Sequence, residues 1–93
     1  MHYDVSATRQ FEKDVKTAKR RGLDVSKLTD VVDKLSDGEK LSAKHKDHAL
    51  KGDHKGKREC HIQPNWLLIY AKEEEIRLLK LIRTGTHADL FGM

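Results

Sequence analysis

Cysteine is all but missing from this 93-residue chain: Cys60 stands alone, so no internal disulfide can form. A lone thiol fits a reducing compartment, and the cytoplasm is the expected location. No apolar run approaches the roughly 18 residues that a membrane-spanning helix needs. Met1-His2-Tyr3-Asp4 lacks the basic and then apolar plan of a secretory signal, so neither a membrane nor an export route is expected. The length leaves no room for a second domain; one domain of this size buries roughly 60 to 65% of the surface its unfolded chain exposes.

Histidine and positive charge are present instead. Five of the six histidines fall between positions 45 and 87, among lysines and arginines and beside the only tryptophan. Nineteen Lys and Arg against fifteen Asp and Glu give a net charge of +4. That balance favours polyanionic partners by long-range attraction without identifying one. Histidine, with an ordinary pKa of about 6.5, both gives and takes a proton near neutral pH, so clustered among cations it suggests acid-base work on an anion.

The first third of the chain reads as a helical hairpin. From Thr8 to Arg21, Phe11, Val15 and Ala18 recur at four and three, while Lys13, Lys16, Lys19 and Arg20 occupy other faces. Gly22 suits the left-handed backbone that often ends a helix. A second helix follows, with Asp24 or Ser26 as N-cap and Leu28, Val31, Val32 and Leu35 on one side, closing near Asp37-Gly38. Ser42 to Lys55 is polar, has neither helical nor strand period, and reads as a loop. The runs Lys57 to Ile62, Trp66 to Lys72 and Ile76 to Arg83 are separated by Gln63-Pro64-Asn65 and Glu73-Glu74-Glu75, which predicts an antiparallel meander. Tyr3 to Ser6 is short enough for an edge strand, and the apolar stripes of the hairpin need a sheet to cover. The fold class is therefore α+β, with a short helical turn at Thr84 to Phe91 that places His87 just past the last strand. Alternation puts residues 57, 59 and 61 on one face, and Arg58, Cys60 and Ile62 on the other; which of the two the helices cover is open.

Three chemistries compete for the histidines. A zinc site would draw on His45, His48, His54, Cys60 and His61, but there is no C-x-x-C or H-E-x-x-H pair, and Cys60 and His61 point to opposite faces. Alternatively the loop histidines are simply solvated, the better reading for His45, while His54 fits either view. The third is RNA cleavage that needs no metal or other cofactor: a base takes the ribose 2′-OH proton, an acid protonates the departing 5′-oxygen, and cations stabilise the charge gathering on phosphorus.

Three separate blocks then resemble a known family. Lys46-Asp47-His48-Ala49-Leu50-Lys51-Gly52, Arg58-Glu59-Cys60-His61-Ile62-Gln63-Pro64-Asn65-Trp66-Leu67-Leu68-Ile69-Tyr70 and Arg83-Thr84-Gly85-Thr86-His87-Ala88-Asp89-Leu90-Phe91 are similar, in order and spacing, to the YafQ branch of the RelE/ParE toxin superfamily. The resemblance covers essentially the whole chain. It implies a RelE-like fold, two helices on a small antiparallel sheet, and the toxin half of a type II toxin-antitoxin pair. The implied activity is an mRNA endonuclease that cuts codons in the ribosomal A site. The partners are a cognate antitoxin, acidic enough to meet this basic surface, and mRNA with ribosomal RNA.

Carried over residue by residue, the resemblance puts catalytic roles on His48, His61 and His87, with His87 as general acid and His48 or His61 as base or transition-state stabiliser. Arg83 and Arg58 become the cations nearest the phosphate, and Lys51, Lys55 and Lys57 track the RNA backbone. Trp66 and Phe91 line or support the site, or pack as a core aromatic and an anchor for the terminal turn. Asn65 departs from the family pattern, which commonly has Asp there. An amide cannot take a proton as a carboxylate does, though it can orient a histidine or a ribose hydroxyl by hydrogen bonding. Two rival functions share the fold or the charge: a ParE-like gyrase poison without nuclease activity, and a plain RNA-binding module.

Overall fold

The computed structural model describes residues 2–92. A first strand, β1 (Asp4–Ala7), runs into the helices α1 (Arg9–Arg20) and α2 (Val25–Ser36), and a five-residue helix, α3 (His87–Phe91), closes the chain. Between them lie β2 (His48–Ala49), β3 (Arg58–Gln63), β4 (Trp66–Glu73) and β5 (Leu78–Gly85). The helix ends follow from local chemistry. Thr8 caps α1 by accepting the Phe11 N–H, and Asp24 caps α2 by accepting that of Ser26. Gly22 then takes a φ of +80°, a backbone that side chains disfavour.

The strands form one sheet in the order β1-β5-β4-β3-β2. The meander β3 to β5 is antiparallel as its short polar connections predict, and β2 joins β3 antiparallel, but the edge strand β1 pairs parallel to β5, Asp4 opposite Leu78 and Ala7 opposite Leu81. The helical hairpin is the reason. It carries the chain back to where it started, with the Tyr3 N–H bonded to the Ser36 carbonyl at 2.7 Å, so the crossover permits a parallel return. The segment 42–55 is also more ordered than its missing periodicity suggests, holding β2 between two single 3-10 turns, Ala43–His45 and Gly52–His54. No helix among the described residues is long and apolar enough to cross a membrane.

The hairpin covers one face of the sheet. Phe11, Ala18, Leu28, Val31 and Leu35 pack there against Cys60, Ile62, Trp66, Leu68, Tyr70, Leu79 and Leu81. This settles the parity of β3: Cys60 and Ile62 face the helices, so Glu59 and His61 face away. Leu67 and Ile69, opposite His61 and Glu59 on β4, are buried on that second face. Burial pushes the Cys60 thiol up to about 12, leaving it a core hydrophobe rather than a nucleophile or ligand.

Past Leu81 the edge of β5 has no strand beside it, and Asp14 from α1 takes the vacant place. Its carboxylate accepts the Thr84 N–H at 3.2 Å and both Nε and Nη2 of Arg83 at 3.0 Å. Burial raises the Asp14 pKa, but hydrogen bonds from Arg83, Gln10 and Thr84 outweigh it and hold the carboxyl below its ordinary value. The stability this gives is complete above the unfolded value of 3.8 and is lost as pH falls through the lower folded one. Asp14→Ala should therefore lower the unfolding free energy at pH 7 by about 2 to 3 kcal/mol, the modest end for a broken buried pair because Arg83 is partly exposed. Urea titrations should show the gap to wild type narrowing by pH 3.

Candidate active site

On the face away from the helices, β2 and β3 bring two histidines to one carboxylate, and α3 sets a third beside them. Glu59 is the centre: its side chain is only 5% exposed, yet His48 Nε2 lies 3.7 Å and His61 Nε2 3.8 Å from the same oxygen, Oε1. These are ion-pair distances, longer than a hydrogen bond. Glu59 was not singled out from the sequence, although alternation along β3 placed it on the face of His61. What the sequence does not display is its burial.

The second nitrogen of each ring fixes its tautomer. His48 Nδ1 lies 2.7 Å from the Lys46 carbonyl, and His61 Nδ1 lies 3.3 Å from that of Pro64. A carbonyl can only accept, so Nδ1 carries the hydrogen in both rings. The Nε2 lone pairs are left facing Glu59 Oε1. Lys46 makes its half of this arrangement by adopting a left-handed backbone, φ 46° and ψ 42°, unusual for a side chain of its size.

His87 opens α3, its ring centroid 6.2 Å from that of His61, so one phosphodiester can touch both. Phe91, one helical turn on, lies 5.8 Å from His87 and in edge contact with His54 at 5.5 Å. His54 thus joins the ring array that His61, His87 and Phe91 begin. Among the described residues no group of three His, Cys, Asp or Glu side chains is arranged to hold a metal ion.

His45 overturns its expectation. It is 7% exposed rather than solvated, and its Nδ1 donates to the His61 carbonyl at 2.7 Å. The bond matters because β2 pairs only with Arg58 and Glu59, leaving the outer edge of β3 uncovered at His61. A lone buried histidine in a polar loop has no periodic signature, which is why it reads as solvated in the sequence.

Trp66 likewise does not reach a ligand: it is 2% exposed in the core, its indole N–H donating to Thr84 Oγ1 at 2.8 Å. It supports the sheet and cannot stack on a base. Arg58 and Arg83, expected nearest a phosphate, are both engaged. Arg58 Nε pairs with Asp47 Oδ1 at 3.3 Å, which also accepts the Tyr70 hydroxyl at 2.7 Å. Arg83 is held by Asp14, with Nη1 left without a hydrogen-bond partner among the described residues. Asn65 lies exposed in the turn between β3 and β4, not bonded to any of the histidines. Lys51 and Lys55 are exposed and Lys57 half-buried, all three outside the ion pairs of the described residues.

The fold is thus an α+β domain that covers one sheet face with helices and sets two imidazoles 3.7 and 3.8 Å from one carboxylate oxygen on the other. Residues 3–92 match the family model described as "Bacterial toxin of type II toxin-antitoxin system, YafQ", and the chain belongs to that family. It is 43% identical over 90 residues to the mRNA interferase toxin YafQ of Escherichia coli K12, covering 96% of each chain. The fold superposes on the crystal structure of YafQ from E. coli BL21(DE3) with a TM-score of 0.91 at 42% identity, over 97% of this chain and 99% of that one. The YafQ chain in the E. coli DinJ-YafQ toxin-antitoxin complex matches with a TM-score of 0.90 at 42% identity, over 99% and 100%.

Replacing His45 by Ala should cost about 1 to 3 kcal/mol, the range for a buried acceptor left unsatisfied. Urea unfolding of His45→Ala and of His45→Asn, whose amide can donate from a similar position, should show the second variant recovering part of the loss.

Proposed function

We propose that this chain is the toxin of a type II toxin-antitoxin pair, an mRNA interferase that cuts messages in the ribosomal A site by acid-base catalysis and so stops translation. The observation that carries the reading is the gathering of three histidines at one place, His48 and His61 on Glu59 Oε1 and His87 beside the His61 ring. In the proposed reaction His61 or His48 takes the 2′-OH proton through Nε2, and the 2′-oxygen attacks phosphorus. His87 then gives a proton to the departing 5′-oxygen, leaving a 2′,3′-cyclic phosphate. Glu59 stabilises the imidazolium that forms at His48 or His61.

Lys51, Lys55 and Lys57 flank this face and are the cations free to follow an RNA backbone; Arg83 contributes through Nη1. Asn65 orients rather than transfers protons. The naming of the E. coli relative as an mRNA interferase supports the activity, and the DinJ-YafQ complex supports an antitoxin partner for this chain, one acidic enough to meet its net charge of +4. The site of action is the cytoplasm, where the translating ribosomes are.

The test supplies translating ribosomes, message and purified protein, and maps the cleaved ends. His87→Ala and His61→Ala should each slow cleavage by about 100-fold or more, the usual worth of a positioned acid or base. Glu59→Gln, which keeps the shape and removes the charge, should fall between them and wild type. Undiminished cutting by His87→Ala, or none by wild type, would sink the proposal. Trapped gyrase-DNA complexes would favour the ParE-like reading, and growth arrest unaffected by His61→Ala or His87→Ala would favour a plain RNA-binding module.

A further inference from the structure

Helix α3 carries His87 yet buries none of its five residues, too little to hold a helix of that length in place. Beyond the edge contact of Phe91 with His54, two devices hold it. Thr86 and Asp89 form a reciprocal capping box, the Thr86 hydroxyl accepting the Asp89 N–H and the Asp89 carboxylate accepting the Thr86 N–H. The same carboxylate then takes Arg21, at the end of α1, face to face: Nη1 to Oδ2 at 2.6 Å and Nη2 to Oδ1 at 3.1 Å. Chiefly through Arg21, the Asp89 carboxyl is held well below the usual carboxylate range. Gly85 permits the close approach, since a Cβ there would lie 2.9 Å from Asp89 Oδ2.

We propose that Arg21 and Asp89 are positioning residues for His87: their bidentate bridge fixes the α3 turn against α1, so that the imidazole meets the scissile phosphate in a reactive orientation. The inference rests on the nuclease reading for what His87 does. The bridge joins residues 68 apart in sequence, and among the described residues Arg21 is the only cation paired with α3. Its members are 46% and 30% exposed, so removing it leaves the core intact and the chain folded. Arg21→Ala also spares the capping box, because the Asp89 carboxylate remains, and so isolates the bridge.

The experiment pairs steady-state cleavage in the ribosome assay with amide hydrogen exchange on the free protein. In Arg21→Ala the Leu90 and Gly92 amides, bonded to the carbonyls of Thr86 and Ala88, should exchange faster while the buried Leu79 amide does not change. The kcat should fall about tenfold or more with KM held within about twofold, because misplacing a reacting group by about 1 Å can cost on the order of 100-fold. Arg21→Lys, which keeps the charge and loses the fork, should recover part of both effects. A raised KM with unchanged kcat would overturn the proposal by making Arg21 a substrate contact. Wild-type behaviour of Arg21→Ala, or lost kcat with unchanged exchange, would overturn it as well. A wild-type protein that cuts no RNA removes the nuclease reading and this role for His87 with it, whereas wild-type cutting alongside an indifferent Arg21→Ala removes the positioning role alone.

Discussion

Everything at this site depends on the alternation of side chains along β3. Cys60 and Ile62 complete the helix-covered core, and Glu59 and His61, their immediate neighbours, face the opposite way. A slip of one residue would drive a carboxylate and an imidazole into the core and carry the thiol outward, so register here is set by burial. It is reinforced locally. His45 holds the His61 carbonyl where the outer edge of the strand is unpaired, and β2 covers the edge at Arg58 and Glu59. The strand therefore presents its two faces to two environments, one the helix-covered core and the other the candidate site.

Three aspartates transmit that order to the segments around the site, each by gripping an arginine. Asp14 ties the end of β5 to α1 through Arg83, Asp47 ties the approach to β2 through Arg58 and Tyr70, and Asp89 ties α3 to α1 through Arg21. Arginine suits the task because its planar fork can meet a carboxylate with two parallel bonds and keeps its charge at any pH the protein meets. The lysines of the 50–57 loop are compact charges on flexible stems, outside the ion pairs and largely in solvent. The division is physical: the arginines are gripped by carboxylates and order the fold, and the lysines of this loop are not.

Much of this was legible in the sequence, and the failures share a cause. Gly22 and the pair Asp24 and Ser26 marked the helix ends because capping is local chemistry, and the apolar runs marked β3 to β5 to within two residues. The shared face of Glu59 and His61 followed from alternation alone. The parallel direction of β1 could not be read, since it depends on where the hairpin returns the chain. Neither could the engagement of Arg83, whose partner Asp14 lies 69 residues away, nor the burial of His45 in a segment without period. Local signals reach a few residues along the chain, whereas these features are set by contacts across it. The same limit made Trp66 ambiguous: its position at the head of a strand fitted a core role and a stacking role equally, and only its burial decides between them.

The two sides of the site differ in how firmly they are held. His61 and Glu59 sit within the sheet, over the buried Leu67 and Ile69, and cannot move without disturbing it. His87 sits on a single turn with no buried residue, kept in place by a capping box and a partly exposed ion pair. Such elements open at low cost in free energy, because few apolar contacts are lost, and a surface pair is weakened further by salt. The α3 side is therefore the less firmly held wall of the site, and the Arg21–Asp89 bridge is what steadies it.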